Sequence, residues 1–275
     1  NIAWSPNERL DAYRLMADAG LTGLEVAPGL LFHAAEDPFA PDLASAARAL
    51  AEVGDFGLEL VSVQSLLFGG EGAALFEGDE ARERLITGLT RAVDLAGRFG
   101  IPNLVFGSPK QRIVPGDMMM SDALDQAATV FRALGDHALK AATRITIEAN
   151  PASYGGNFLT HLADAQDFVE RGDHPAITTI LDLGAMHING EFASVPDRIS
   201  GLLPGLGHVH VSEPNLVPAP AEAAALARVL QALDKAGYAR WVSIEMTRPQ
   251  DGLADVEASL ARLKEAAGLA QSSYA

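Results

Sequence analysis

The chain has 275 residues, 48% of them hydrophobic and 20% charged, enough for a sizeable buried core and unlike the composition of a disordered chain. Its net charge of −16 is spread along the sequence, a surface that repels phosphate backbones, so nucleic acid is not an expected partner. Cysteine is absent, which excludes disulfides, thiolate metal sites and a cysteine nucleophile; no apolar run approaches the ~20 residues of a membrane span and no signal peptide is visible, so a cytoplasmic protein that binds no membrane is expected.

In chain order, a first strand is predicted at Asn1–Trp4. The helix behind it, "SPNERLDAYRLMADAG", has Ser5 as N-cap, Pro6 at its first position and Glu8 closing a capping box. Strand Gly23–Val26 precedes helix Pro41–Val53, and strand Leu58–Leu66 precedes helix Asp79–Phe99. Asn103–Phe106 and Arg144–Glu148 are the next strands, followed by helices Ser121–Ala142 and Thr160–Glu170 respectively. The last three pairs are Thr178–Leu183 with Ser194–Leu202, Gly207–Val211 with Ala221–Ala236, and Trp241–Glu245 with Asp251–Ala267. Glycine closes several helices just before a strand, as in "MADAG", "AGRFG" and "LDKAG", where it supplies the left-handed cap. The apolar runs are too short for helices and have the composition of buried strands. Eight strand–helix units over 275 residues average about 34 residues each, which suits an α/β fold with a single (β/α)8 TIM barrel spanning 1–275. A doubly wound sheet is the alternative, but neither G-x-G-x-x-G after the first strand nor a P-loop is present.

In such barrels the chemistry lies at the C-terminal strand ends. Four consecutive predicted strands end in an acid or a histidine: "RITIEANP" in Glu148, "TTILDLGAMHING" in Asp182 with His187 beyond, "GHVHVSE" in His210, and "WVSIEMTRP" in Glu245. Their spacings of 34, 28 and 35 residues are close to one unit each, so three carboxylates and one imidazole are aimed at one point. Burying a lone carboxylate costs several kcal/mol, and a divalent cation resolves the crowding. Three oxygen donors and one nitrogen suit Mn²⁺, with Mg²⁺ or Co²⁺ as alternatives, better than a structural Zn²⁺. In "GHVHV" residues two apart share a face. His208 and His210 therefore point inward, His210 as the ligand nearer the rim and His208 as a hydrogen-bonded histidine one layer deeper.

These residues resemble the xylose-isomerase-like barrels, the family of sugar and sugar-phosphate isomerases and epimerases that also includes endonuclease IV. The resemblance covers nearly the whole chain, and its most specific part is the Glu148–Asp182–His210–Glu245 quartet. In the ketose 3-epimerase branch the matching residues bind Mn²⁺ or a similar ion, and the two glutamates act as acid and base on opposite faces of the substrate. The resemblance thus implies that Glu148 and Glu245 are ligands and bases, and that Asp182 and His210 are ligands. It also implies a supporting catalytic and substrate-binding role for His187. That branch has a substrate-binding Glu where this chain has Tyr154, an Arg where it has Leu216, and a His at the place of Ala185, two residues before His187. Endonuclease IV needs further histidines, which "VSVQSLLFGG" and "LVFGSPKQR" do not supply.

Other polar residues expected near the rim are Gln64, Lys110, Tyr154, Glu213 and Arg248, with Trp4 offering a face to a sugar ring; all are candidate substrate contacts. Lys110 is an ammonium for a substrate oxyanion, carboxylate or phosphate. Ser108, Arg112, Glu25 and Asn157 also fall at strand ends or in the loops after them. The expected activity is isomerisation or epimerisation of a small polyhydroxy ketone through an enediolate, by a homo-oligomer, dimer or tetramer. A dehydratase of an inosose-like substrate and a non-catalytic binding barrel are the alternatives.

Overall fold

The computed structural model describes residues 2–272. Seven parallel strands form one sheet in sequential order: β1 Gly23–Val26, β2 Glu59–Val63, β3 Leu104–Phe106, β4 Ile145–Ile147, β5 Ile177–Asp182, β6 Leu206–Val211 and β7 Val242–Ile244. The helices around them are α1 Arg9–Asp18, α2 Pro28–Leu31, α3 Leu43–Gly54, α4 Asp79–Phe99, α5 Met120–Lys140, α6 Leu162–Gly172, α7 Leu183–Ile188, α8 Val195–Leu202, α9 Ala223–Ala236 and α10 Leu253–Ser272. This is the expected TIM barrel, nearly closed. No helix among the described residues is long and apolar enough to cross a membrane.

The predicted first strand is the main departure. Among the described residues it is reduced to one parallel bridge, Ile2 with Thr247; Asn1 lies outside them. The chain bends at Ala3–Trp4 and enters a 3₁₀ turn at Pro6–Glu8, where Glu8 accepts hydrogen bonds from the Ser5 amide (2.8 Å) and hydroxyl (2.6 Å). With no full strand between them, β1 and β7 are not paired in the sheet, and a cavity of about 190 Å³ opens at this seam, lined by Trp4, Leu24, Trp241, Ile244 and Leu260 among others.

Local chemistry sets the other boundaries. Asp42 accepts from the Ala44 and Ser45 amides at 2.8 and 2.9 Å and starts α3 two residues later than the prediction. Gly100 and Gly237, at φ 68° and 80°, end α4 and α9 in the left-handed conformation. The outer faces of the strands pack on the helices, with Leu85, Leu89, Val93, Phe131 and Phe168 in the larger core cluster.

The barrel interior is unusually polar for this fold, where branched apolar side chains dominate. Asn103 donates to Ser62 Oγ at 2.9 Å, Thr146 to the Leu104 carbonyl at 2.9 Å, and His208 Nε2 lies 2.9 Å from Ser243 Oγ. These bonds make a hydrogen-bonded floor beneath the barrel mouth, in which these buried polar groups are partnered by a neighbouring strand.

Candidate metal centre

Glu148 lies just past β4, Asp182 ends β5, His210 is the penultimate residue of β6, and Glu245 follows β7. Parallel register sets Asp182 opposite His210 and His210 opposite Ser243, so the four side chains meet at the C-terminal mouth. All four are buried, and one ligand atom from each lies within 4.8 Å of the others. His210 Nδ1 is the centre of the group: Glu245 Oε2 is 3.0 Å away, Glu148 Oε1 3.5 Å and Asp182 Oδ2 3.7 Å.

The other side of His210 is fixed by Glu25. Its carboxylate spans both barrel histidines, with Oε1 2.8 Å from His210 Nε2 and Oε2 2.9 Å from His208 Nε2. A carboxylate can only accept, so His210 donates from Nε2 and turns Nδ1 to the quartet. That Nδ1 is fully buried and has no hydrogen-bond partner of proper geometry. A buried imidazole nitrogen facing three carboxylates is the donor set a divalent cation requires, and the residues fit such an ion.

Asp182 is doubly held. Its Oδ1 accepts from the Ala185 amide at 2.6 Å, capping α7, and its Oδ2 accepts from Ser212 Oγ at 2.7 Å. Ser212 Oγ in turn accepts from the Gly184 amide at 2.8 Å. Gly107, at the end of β3, is required beside Glu148: a Cβ there would collide with Oε2.

The electrostatics follow from this crowding. Burial opposes charge on His210, but Glu25 and then Glu245 outweigh it and hold the imidazole well above its usual range. Burial pushes Glu245 up to about 7; His210 opposes that rise, and Glu148 and Asp182 add to it. Glu25 sits well below the carboxylate range because His210 and His208 overcome its burial. Protons and a metal therefore compete for the quartet. Below pH ~7 a metal must displace a proton from Glu245, and at neutral pH it must displace one from His210 as well. Calorimetry in buffers of different ionisation enthalpy should show protons released on Mn²⁺ binding, more at pH 6 than at pH 8, with affinity increasing with pH. Proton-free, pH-independent binding would contradict a metal site at this quartet.

The remaining expected residues divide. Tyr154, on the 3₁₀ turn Ala152–Tyr154, is half-buried; burial raises its pKa, its hydroxyl's acceptance of a hydrogen bond from the Asn215 amide at 3.1 Å counters that, and the charges of Asp182, Glu245 and Glu148 raise it further. It thus feels the charge of the quartet and meets the loop after β6. There Asn215 and Leu216 both have positive φ, 60° and 55°, and the Leu216 carbonyl accepts from Thr247 N at 2.9 Å. Two successive non-glycine residues in that region store about 1–3 kcal/mol each, which marks the loop as held in place. Gln64 is buried just past β2 with an unbonded Nε2. Lys110 is exposed, its stem running beside Gly155 in the loop that carries Tyr154.

The others are placed elsewhere. His187 stacks on Phe192 at 3.8 Å between ring centres and lines a separate cavity of about 90 Å³ with Glu213; two extra residues of helix carry it past the quartet. Glu213 accepts from the Ala221 amide at 2.8 Å and pins its own loop. Arg248 is committed to Glu8, at 2.7 and 2.9 Å. Trp4 is buried edge-on to Tyr13 at the seam and offers no face to a ligand at the mouth. Glu25 is not a rim residue but the buried partner of both histidines. Ser212 and Asn150 join the site from positions whose sequence carried no such signal, and Arg112, expected in the loop after its strand, joins it as a buried group. The one available hint was an acid inside the apolar strand "GLEV".

The fold is a TIM barrel whose mouth gathers four buried residues that could hold a metal ion. A family profile described as xylose isomerase-like TIM barrel matches residues 13–266, and the chain belongs to that family. Among solved structures it is similar to 3-keto-D-glucoside 4-epimerase from E. coli, with 19% identity, 95% of each chain covered and a TM-score of 0.72. It is likewise similar to D-psicose 3-epimerase with D-tagatose from Clostridium cellulolyticum H10, at 18% identity, 96% and 93% coverage and a TM-score of 0.72. An AP endonuclease of family 2 from Brucella melitensis gives 22% identity, 92% and 91% coverage and a TM-score of 0.68. Comparison with curated proteins gives no match.

Proposed function

We propose that this protein is a divalent-metal-dependent isomerase or epimerase of a small sugar, sugar phosphate or related polyhydroxy ketone. The observation that carries the reading is the buried convergence of Glu148, Asp182, Glu245 and His210 Nδ1 at the barrel mouth. Sugar epimerases among the structural neighbours support it. A divalent ion, Mn²⁺ or else Mg²⁺ or Co²⁺, held by the quartet would supply positive charge beside a substrate carbonyl and acidify the neighbouring C–H. Glu148 and Glu245 come from β4 and β7, with β5 and β6 between them, so they flank whatever occupies the mouth. One carboxylate takes a proton from carbon and the other returns one: to the opposite face for epimerisation, to the adjacent carbon for isomerisation. Glu245, with its pKa near 7, is suited to both holding and releasing that proton. Tyr154 and Lys110 line the approach and bind substrate oxygens, with Gln64 behind them. The reading carries with it a homo-oligomeric, cytoplasmic enzyme.

Tyr154 favours one second reading. A phenol that feels the quartet's charge, where the epimerase branch has a carboxylate, is a proton donor for a departing hydroxyl, as a dehydratase of an inosose-like substrate requires. One experiment tests both. The Mn²⁺-loaded protein is incubated in D₂O with D-psicose, D-fructose, D-tagatose, inososes and ketose phosphates, and products are read by NMR and mass. Deuterium next to the carbonyl with the formula retained supports the isomerase or epimerase; loss of water supports the dehydratase. Neither change with any of these compounds, while Mn²⁺ is bound, would overturn the proposal.

A further inference from the structure

Arg112 is the largest fully buried side chain among the described residues, only 1% exposed. A guanidinium cannot escape burial by losing its proton as a lysine can. Burial lowers its pKa to about 10, with the Glu148 carboxylate opposing, so it stays a cation. Its Nη2 donates to the Glu148 carbonyl at 2.6 Å and to Asn150 Oδ1 at 2.7 Å. Asn150 Nδ2 then donates to Glu148 Oε2 at 2.8 Å. The amide's orientation is forced, because arginine only donates and a carboxylate only accepts.

The arginine lies 5.8 Å from the centre of the Phe106 ring, and its Nε and Nη1 meet no acceptor. Each such buried donor is costly, and a hydrophobic side chain of similar volume would be the more stable filling. Stability alone therefore does not explain an arginine here. The loop holding it is fastened on purpose-built contacts: Val114 N donates to Asn157 Oδ1 at 2.8 Å, and Asn157 Nδ2 donates to Val114 O at 2.9 Å. These bonds tie the loop after β3 to the loop after β4.

We propose that Arg112 is a positioning residue for Glu148, acting through Asn150: the relay holds Oε2, so that Oε1 is the oxygen presented to the metal centre. The inference deepens the reading above and rests on it. Oε1 is the atom that lies 3.5 Å from His210 Nδ1. A glutamate has three side-chain torsions, and ordering them costs entropy; the relay does that ordering before any ion arrives. Gly107 leaves the room in which Oε2 is held.

The test is Mn²⁺ affinity of the intact folded chain by calorimetry, with thermal midpoints recorded separately. Arg112→Met and Asn150→Ala are each expected to weaken Mn²⁺ binding by about 10- to 100-fold. The double variant should be no weaker than the weaker single, because both changes cut one relay. Additive losses, or unchanged affinity in Asn150→Ala, overturn the relay. Should Arg112→Met fail to fold, Asn150→Ala decides alone, since it leaves the arginine bonded to the Glu148 carbonyl. Glu148→Gln separates the two readings. If the unsubstituted protein binds no Mn²⁺, or Glu148→Gln binds it equally well, the metal-centre reading falls and the relay falls with it. If Glu148→Gln is weakened while Asn150→Ala is not, only the relay falls.

Discussion

Glutamine in place of Glu245 is expected to slow exchange of a substrate carbon-bound proton with solvent by roughly 10²–10⁴-fold, and Glu148→Gln should do the same. Glutamine keeps the size of the side chain and one carbonyl oxygen, but it cannot take a proton in the working pH range. The two positions are not equivalent. Glu245 is the buried carboxylate closest to His210 Nδ1, with a pKa raised to about 7, so its loss removes the group already poised between charged and neutral. Glu148 is tied by Asn150 through Oε2, and its loss removes a more firmly held base. Deuterium uptake followed by NMR, with Mn²⁺ content measured in parallel, reads chemistry apart from occupancy. Undiminished exchange in both variants would remove the glutamates from the reaction.

Glu25→Ala should cost about 3–5 kcal/mol of stability and weaken Mn²⁺ binding by about 10- to 100-fold. The residue lies outside the quartet, yet its two oxygens are 2.8 and 2.9 Å from the Nε2 atoms of His210 and His208. Removing it strands the His210 Nε2, leaves His208 to Ser243 alone, and frees His210 to turn its Nδ1 away. The stability loss is large because desolvation of the remaining partners is no longer compensated. Urea unfolding without metal, followed by calorimetry with Mn²⁺, measures the two effects independently. A variant that is as stable and binds as tightly would show that Glu25 is a bystander.

The quartet was legible because each member stands where an apolar strand runs out, and parallel strands with regular spacing must bring such residues together. Glu25 was placed at the rim instead, for a physical reason. The β1–β2 register shifts between Leu24 and Glu25, and in a strand as short as "GLEV" no periodicity reveals how deep a residue sits. Arg112 follows Pro109, Lys110 and Gln111 in a turn that reads as surface; its burial comes from Asn157, 43 residues from the Val114 backbone it grips. His187 was displaced by helical geometry. Its offset from Asp182 is fixed by α7, and two further residues of a helix rotate a side chain by roughly 200°. The first strand is not legible as such because, among the described residues, its one pairing is that of Ile2 with Thr247, a matter of tertiary register that four apolar-rich residues do not encode.

Asp182 both opens α7 and faces the centre. Six residues make too short a helix to persist without its cap and its packing. Order in this helix and occupancy of the centre are consequently linked quantities, each shifting the other by the same free energy. An ion held by the quartet would draw on the same Asp182 carboxylate that caps α7, so its binding would favour the ordered helix that sets His187 against Phe192.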